Sequence, residues 1–307
     1  MVRSAAGGDA ALFQGGFITF PQATFKADSA GVIRSEPNQQ DLVTDATPAL
    51  HGAGGVPFYD LAMKRWVPVG SNQTSPDGAF YAYTTDPTQI HIVDVARASD
   101  RVVTLQGQPQ GSIQIVDFDS RGVEFLYTSY HQLAGVWRLD PASGSVTRIA
   151  ALDFVDLVSN GYAWISAFDP RDPSPPSQPN SRLLFDSVVR VDLATGAKTV
   201  WYYARGFAVI PRGLDLSGNP IVDVAAPPDF DFSAGDIRLA SPPGSPGADL
   251  SAGLIALSDP QRDVGRLWFG NGQGIYVHTG DGGTQKVFAL ASSSSLAGYW
   301  QPVGYCV

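Results

Sequence analysis

Residues 263–290 read DVGRLWFGNGQGIYVHTGDGGTQKVFAL, and this stretch decides the fold. It contains three short runs of β-prone residues, at 266–269, 274–278 and 285–290, and the gaps between them are clusters of Gly with Asn or Asp. Short β-prone runs separated by Gly, Asn and Asp predict antiparallel strands joined by tight turns. With one more strand before Asp263, the stretch predicts a four-stranded meander.

The same arrangement recurs along the chain in six copies. Each copy has a turn that ends in Gly, as in Ser75-Pro76-Asp77-Gly78, and a later apolar strand, as in residues 89–94. Four strands in a repeat of roughly 40–50 residues are typical of β-propellers. The sequence therefore predicts an all-β fold, a six-bladed β-propeller of four-stranded antiparallel blades in one domain, 1–307. The predicted blades span 17–69, 70–105, 111–150, 151–203, 207–257 and 261–290.

A closing element is also expected at the C-terminus. The tail 296–305, LAGYWQPVGY, is a further β-like segment after the sixth copy. We expect it to pair with N-terminal strands such as 16–20, so that both termini share one blade. Closure of this kind removes an exposed sheet edge, which would otherwise invite aggregation.

Two repeats carry a family resemblance. Residues 75–83, SPDGAFYAY, followed by 90–94 resemble the SPDG-type repeat of TolB-like propellers, and residues 263–276 are similar to the DxxGxLWFGT-type repeat of sensor-kinase propellers. The six copies together resemble bacterial TolB-like, WD40-like six-bladed propellers, with the first and fifth copies matching least. The resemblance implies an architecture and transfers no activity.

Composition narrows the classes of partner. The net charge of −9 and the presence of only four lysines argue against a nucleic-acid partner, since phosphate binding needs clustered Lys and Arg. Cys306 is the only cysteine, which excludes an internal disulfide and a Cys-rich metal site. No run approaches the length of a membrane-spanning helix, so we expect no transmembrane segment. We also expect a monomer without a cofactor.

The N-terminus leaves the compartment open. MVRSAAGGDAALF has no sustained apolar core, so no signal peptide is predicted. A start site inside a longer precursor would look the same. An extracytoplasmic protein whose signal sequence is missing or removed and a cytoplasmic protein are therefore both compatible with the sequence.

Long insertions point to one face of the propeller. The insertions 35–54, 128–134, 167–186 and 225–235 all connect a second strand to a third, whereas only 241–252 belongs to the opposite face. Loops on a rigid scaffold are where binding usually resides. The candidate ligand-binding residues on this face are Tyr130, His131, Phe168, Asp169, Arg171, Asp229, Phe230, Asp231 and Phe232. The Asp-Phe alternation at 229–232 suits a cation, a sugar or a peptide; the competing interpretation is a solvated acidic loop with its aromatic rings packed underneath.

A second group of polar residues lies on or beside the innermost strands, which are expected to line the central channel. Convergent polar groups in a funnel predict a pocket, although they could equally bridge neighbouring blades through water. The residues are Gln73, Asp117, Asp153, Asp156 and Arg212.

Evidence for catalysis or a metal is thin. The four histidines, His51, His91, His131 and His278, are scattered, and His91 and His278 fall at apolar positions where packing is the expected role. No GxSxG motif and no DxDxDG-type calcium loop occurs. The leading hypothesis is a non-catalytic propeller that binds a protein, peptide or glycan on the face with the long loops. The alternatives are a lyase or hydrolase acting at the channel mouth, and a sensor or structural domain of a larger envelope protein.

Overall fold

The structure is a computed structural model with an all-β fold, a six-bladed β-propeller, as the sequence predicts. It describes residues 2–7, 10–35, 41–105, 111–129, 135–169, 184–215, 217–232, 235–251, 261–263, 266–271, 273–279, 283–289 and 300–303. The chain divides into two compact units, Met1–Leu152 with Gly272–Gly274 and Phe288–Val307, and Asp153–Asn271 with Ile275–Val287. That the whole chain is one domain stays a prediction.

The first unit holds the first three copies. Its strands are β1 (Val2–Gly7), β2 (Ala10–Thr19), β3 (Thr24–Ser35), β4 (Leu42–Thr44), β5 (His51–Gly52), β6 (Phe58–Asp60), β7 (Arg65–Val67), β8 (Phe80–Asp86), β9 (Gln89–Asp94), β10 (Ser99–Thr104), β11 (Gly111–Asp119), β12 (Gly122–Ser129), β13 (Gly135–Leu139) and β14 (Val146–Ala150). The third copy, β11 to β14, is a regular four-stranded sheet. In the second copy, β8, β9 and β10 form the sheet, and Thr74 adds a single bridge to Tyr81 after the short 3-10 helix Ser71–Gln73.

The first copy departs from a regular blade. Its last two strands, β6 and β7, form a sheet of their own, while β1 to β5 belong to a larger sheet. The repeat predicts a turn ending in Gly at 28–31 of this copy, but the structure has a bulge within β3 there, where the pairing moves from Gln14↔Val32 to Gly16↔Ala27. The cause is a contact between residues distant in sequence. A Cβ on Gly15 would come within 2.6 Å of the Trp66 ring, so a bulky side chain would not fit at this position. The indole of Trp66 also donates a hydrogen bond to Asp28 at 2.9 Å, which fixes the bulge.

The expected pairing of the two termini is confirmed, with a different partner strand. The C-terminal strand, Trp300–Gln301, pairs antiparallel with β1 through Val2↔Gln301 and Arg3↔Trp300. Residues 16–20 could not take this role, because β2 already has β1 on one side and β3 on the other. The first N-terminal strand, β1, therefore receives the tail.

The second unit holds the remaining copies, each a four-stranded sheet in chain order. Its strands are β15 (Val155–Ser159), β16 (Tyr162–Ala167), β17 (Ser187–Asp192), β18 (Lys198–Tyr203), β19 (Ala208–Leu214), β20 (Pro220–Ala225), β21 (Asp236–Leu239), β22 (Ala248–Asp249), β23 (Gln261–Asp263), β24 (Arg266–Asn271), β25 (Gly274–Thr279) and β26 (Gly283–Ala289), of which β25 and β26 run partly into the first unit. The meander that decides the fold is confirmed as β23 to β26. The strand expected at 253–257 lies outside the described residues, and the fourth strand of the fifth copy is β22, inside the segment expected to be a loop.

Three arginines of the third strands stabilise their blades in different ways. We expected each guanidinium to lie near an Asp at the blade edge, and Arg238 does bind Asp236 at 2.9 Å. Arg138 instead binds Glu124, which is completely buried. Arg190 lies over two aromatic rings, 4.5 Å from the centroid of Tyr162 and 4.3 Å from that of Trp201. These contacts make all three arginines packing residues of the blades.

Each unit has its own aromatic core. The largest fully buried side chains include Trp66, Tyr81 and Tyr127 in the first unit and Trp164 and Phe269 in the second. Large rings fill the space between sheets that pack face to face. Within the described part of the chain, no helix is long and apolar enough to cross a membrane.

Candidate functional site

The fourth copy brings three phenylalanines together at one end of its sheet. Phe154 precedes β15, Phe168 follows β16 and Phe185 lies just before β17. Because neighbouring strands are antiparallel, the start of β15, the end of β16 and the start of β17 lie at the same end of the sheet. The ring of Phe185 lies 4.9 Å from the ring of Phe154 and 4.9 Å from that of Phe168, centroid to centroid. We refer to Phe154, Phe168 and Phe185 as the aromatic cluster.

The aromatic cluster faces solvent. Phe154 is 67% exposed and Phe168 is 39% exposed, values that are unusual for phenylalanine in a folded protein. Phe154 has a φ of +55°, a conformation that a non-glycine residue adopts only when its surroundings hold it. The carbonyl oxygen of Phe185 accepts a hydrogen bond from the Val209 N–H at 2.8 Å. The rings are therefore positioned by the backbone of the two neighbouring copies, the fourth and the fifth.

A carboxyl group of the expected channel set lies at the base of the cluster. Asp156 accepts hydrogen bonds from the Ser166 N–H at 2.9 Å and from the Ser166 hydroxyl at 2.8 Å. Burial raises the pKa of Asp156 to about 6, and these two hydrogen bonds only partly offset that effect. Asp156 therefore changes charge close to neutral pH.

A backbone N–H and a buried carboxylate join the described ends of the loop 167–186. Asp169 and Asp186 are 1% and 0% exposed, and the Asp169 N–H donates to Asp186 Oδ1 at 2.8 Å. The carbonyl oxygen of Asp186 also accepts from the Ala204 N–H at 3.0 Å. Asp169 thus ties the two ends of the loop together beneath the exposed ring of Phe168.

The second candidate loop contacts the first. Phe230, at a φ of +50°, is only 7% exposed and packs on Ala208 and Ala225, while Leu184 and Phe232 pack against the same cluster. Side chains from 167–186 and from 225–235 therefore meet. Phe230 is an anchor that is covered by protein, whereas Asp229 and Asp231 remain exposed. The alternating pattern at 229–232 thus places its carboxylates outward and its rings inward.

The remaining channel candidates form separate local networks. Gln73 is 2% exposed; its amide oxygen accepts from the Gly70 N–H, and its amide nitrogen donates to the carbonyl oxygens of Ala53 and Ala82 at 3.0 and 3.1 Å. Arg212 donates to Asp223, which is 1% exposed, at 3.0 Å. Asp153 is exposed. Gln73 therefore bridges two backbone segments directly, without the water considered from the sequence.

Asp117 lies in a cluster of charged groups in the third copy. It is paired across the strands with the fully buried Glu124, which binds Arg138 and lies 3.3 Å from Arg121. Burial, together with the negative charges of Glu124 and Asp119, raises the pKa of Asp117 to about 7. This carboxyl group also titrates near neutrality.

Of the described histidines, His91 and His278 contact neighbouring side chains, whereas His51 is exposed. The ring of His91 stacks on Tyr83 at 4.5 Å and its Nδ1 lies 2.6 Å from Asp100. His278 lies 3.1 Å from the hydroxyl of Thr284, and burial lowers its pKa. No group of three or more His, Cys, Asp or Glu side chains that could hold a metal occurs among the described residues. Tyr130, His131 and Arg171 lie outside the described residues.

Sequence reasoning found Phe168 but missed Phe154 and Phe185. The sequence could have indicated Phe154 and Phe185 as well, since all three phenylalanines lie just beyond the loop-side end of a strand of one copy. What the sequence did not show is that the ring of Phe185 bridges the other two.

Comparisons with known proteins support the fold. No protein-family model and no curated protein sequence matches this chain. Among solved structures, an acylaminoacyl peptidase of Pyrococcus horikoshii matches with a TM-score of 0.52 at 12% identity, over 95% of this chain and 46% of that one. An oligogalacturonate lyase in complex with manganese matches with a TM-score of 0.52 at 14% identity, over 93% of this chain and 75% of that one. One of two prolyl endopeptidases studied for inter-domain dynamics matches with a TM-score of 0.52 at 12% identity, over 97% of this chain and 50% of that one.

These similarities concern architecture. At such identities they show a shared propeller fold alone. The chain spans about half the length of the two peptidases and three quarters of the lyase.

Proposed function

We propose that this propeller is a non-catalytic binding module that takes up an apolar, basic segment of a peptide or protein on the aromatic cluster. The observation that carries the proposal is the contact of three phenylalanine rings at the loop end of one copy, with two of the rings more than a third exposed. Exposed aromatic groups on rigid supports serve as anchors in protein interfaces. The finer TolB-like affiliation likewise rests on the SPDG-type repeat and is part of the proposal.

Apolar burial provides the driving force. Covering the exposed parts of Phe154 and Phe168 would contribute roughly 1–3 kcal/mol. The backbone carbonyl oxygens of Phe154 and Phe185 accept hydrogen bonds from Ser166 and Val209, which lowers the cost of ordering this segment on binding.

Ring geometry favours side chains over a sugar. The planes of Phe154 and Phe185 are inclined at 56°, and those of Phe168 and Phe185 at 47°. Inclined rings form notches that accept branched or aromatic side chains, whereas a sugar ring stacks on a flat platform. The Asp156 carboxylate accepts hydrogen bonds from Ser166, and the Asp169–Asp186 contact is buried.

Charge favours a basic ligand. Asp153 precedes the cluster directly, and Asp229 and Asp231 are exposed on the loop that adjoins it. The chain as a whole carries a net charge of −9. Such a field attracts cationic partners and repels acidic ones.

Selection from a random peptide display library tests the proposal. We expect the selected peptides to be enriched in Lys or Arg together with aromatic or aliphatic residues. They should bind the double variant Phe154→Ser/Phe168→Ser at least about tenfold more weakly, and they should bind Phe20→Ser, a change at a phenylalanine that is 43% exposed outside the cluster, as tightly as the wild type. Equal melting temperatures establish that the variants fold. Peptides that bind the double variant unchanged, or a glycan array that yields the cluster-dependent ligands instead, would refute the proposal.

The enzyme alternative has one observation in its favour. The pKa of Asp117 is raised to about 7 and that of Asp156 to about 6, both chiefly by burial, and carboxyl groups with such values suit general acid–base chemistry. The similar structures named above include peptidases and a lyase.

An activity screen separates the two classes. The protein would be assayed on oligogalacturonate with and without manganese, and on acylaminoacyl and prolyl p-nitroanilides. We expect no turnover above a heat-inactivated control. Turnover that disappears in Asp156→Asn or Asp117→Asn would establish the enzyme alternative and contradict the non-catalytic one.

A further inference from the structure

A cleft of about 690 Å³ lies in the first unit, at the tight-turn end of the second and third copies. Four turns border it, at residues 75–80 and 94–99 of the second copy and at 118–122 and 140–142 of the third. The volume is within the usual range for small-molecule sites. The cleft is independent of the aromatic cluster, which belongs to the other unit.

The walls of the cleft are apolar and aromatic. Phe80 is 37% exposed, whereas Ile92 and Phe118 are almost completely buried behind it. Pro76 and Pro141 complete the apolar lining. The ring of Phe80 is therefore presented to whatever enters the cleft.

The rim of the cleft is acidic because of turn chemistry. Each turn is capped by an Asp whose carboxylate accepts backbone N–H groups of the same turn, as Asp94 accepts from Arg97 and Asp140 from Ala142. Hydrogen bonds within the turns lower the pKa of Asp77, Asp94 and Asp140, so all three are ionised at neutral pH. The charged side chains that line the cleft are Asp77, Asp94, Asp119, Asp140, Arg101 and Arg121.

The guanidinium groups neutralise only part of this rim, where Arg97, just beside the cleft, pairs with Asp94. Arg121 is engaged by Asp119 and by the buried Glu124. Arg101 donates to the carbonyl oxygen of Ala142 at 3.3 Å. With Arg97 included, four carboxylates face three guanidinium groups, so the cleft keeps a formal excess of one negative charge.

Asp77 is the carboxylate best placed to meet a ligand. Its Oδ1 accepts from the Ser75 hydroxyl at 2.6 Å and from the Ala79 N–H at 3.0 Å. Its Oδ2 accepts no hydrogen bond from the described part of the chain. Asp77 is exposed and lies three residues before Phe80 in the same turn.

We infer that this cleft binds a small organic cation, an ammonium group on an aromatic or apolar body. The apolar body would cover Phe80, and the ammonium group would lie between the ring face and the Asp77 carboxylate. Aromatic faces attract cations, and a carboxylate forms charge-assisted hydrogen bonds with ammonium groups. The inference does not depend on the proposed peptide binding, and either can fail alone.

The test compares three probes of nearly equal size: phenethylamine, 2-phenylethanol and 3-phenylpropionate. Each is titrated into the ¹⁵N-labelled full chain while the backbone amide signals of Gly78, Gly122 and Ala142 are followed. We expect phenethylamine to shift these signals and to saturate with a Kd on the order of a millimolar. We expect the alcohol to bind at least threefold more weakly and the carboxylate to produce no saturable shift.

Two variants test whether binding depends on Asp77 and on Phe80. Asp77→Asn keeps the oxygen that accepts from Ser75 and Ala79, so the turn is retained while the charge is lost; Phe80→Leu keeps an apolar wall while the ring is lost. Each should weaken phenethylamine at least about threefold, with an unchanged melting temperature. Asp86→Asn is the matched control, because Asp86 is an exposed carboxylate at the opposite end of the same sheet. The inference is overturned if the carboxylate probe binds as tightly as the amine, if both variants bind phenethylamine normally, or if the shifts fall outside the four turns.

Discussion

Among single residues, the buried carboxyl groups show most clearly how burial in this fold changes the pKa of a side chain. Asp156 has its carboxylate oxygen bonded to Ser166, yet the loss of water around it has the larger effect and raises its pKa to about 6. An Asp carboxyl in the unfolded chain has a pKa of about 3.9. The folded state therefore holds the proton more tightly than the unfolded state between these two values.

The first prediction follows from that difference. The contribution of Asp156 to stability should fall as pH rises from about 4 to about 6, and the cost of the ionised Asp156 should be fully present above pH 6. Asp156→Asn has no charge to bury and retains an oxygen for the Ser166 N–H. We expect the variant to be more stable than the wild type at pH 7.5, by on the order of 1–3 kcal/mol, and to lose this advantage at pH 4.

Urea denaturation at the two pH values measures this effect. Asp153→Asn is the control, since Asp153 is exposed and lies three residues away. A difference between Asp156→Asn and the wild type that is the same at both pH values would contradict the assigned cause.

The second prediction concerns the glycine that begins β13. Gly135 has a φ of +155°, and a Cβ at this position would lie 2.2 Å from the carbonyl oxygen of Ala150 on the neighbouring strand. Gly144 also has a positive φ, +77°, but a Cβ there would meet nothing within 4 Å. We expect Gly144→Ala to cost about 1 kcal/mol from backbone strain alone and Gly135→Ala to cost at least about 3 kcal/mol, because β13 and β14 must separate. Equal losses in thermal or chemical denaturation would show that the close contact is relieved without cost.

Among strands and turns, features set by neighbouring residues are easier to predict from the sequence than features set by contacts between distant residues. The β24 to β26 meander was predictable because short clusters of Gly, Asn and Asp mark its turns. The irregular first copy was not, since the bulge in β3 depends on the close approach of Gly15 to Trp66, which is distant in sequence. That the tail pairs with an N-terminal strand was predictable, because a propeller must close its sheet edges. That the partner is β1 was not predictable, because it depends on which strand has a free side.

The candidate site shows the same division. Phe168 could be found from its place in a long loop, whereas Phe154 and Phe185 required knowing which strand ends meet. The pattern at 229–232 left two interpretations open, and the structure agrees with the solvated acidic loop whose rings pack underneath, since Phe230 packs on Ala208 and Ala225.

The third prediction tests the closing strand. Deleting residues 296–307 removes the Trp300–Gln301 strand and leaves β1 without a partner on one side. We expect a lower melting temperature and concentration-dependent aggregation, since an unpaired edge recruits other chains. Deleting only 304–307 retains the paired residues and is the control. A monomeric 296–307 deletion with an unchanged melting temperature would refute the closing role of the strand.

For the whole molecule, each of the two compact units carries a candidate binding surface of its own. In the second unit, strand ends and a long loop present the aromatic cluster. In the first unit, Asp-capped turns line an acidic cleft around Phe80. We propose cationic, apolar ligands for both surfaces, and a chain of net charge −9 would attract such ligands.

The central claim is that the aromatic cluster binds a basic, apolar peptide, and calorimetric titration of one selected peptide tests it most directly. The peptide would be titrated into the wild type, Phe154→Ser/Phe168→Ser and Phe20→Ser at low and high salt. We predict that Kd rises at least about tenfold in the double variant, stays unchanged in Phe20→Ser and rises with salt in the wild type. A double variant that binds the peptide with the wild-type Kd would contradict the claim.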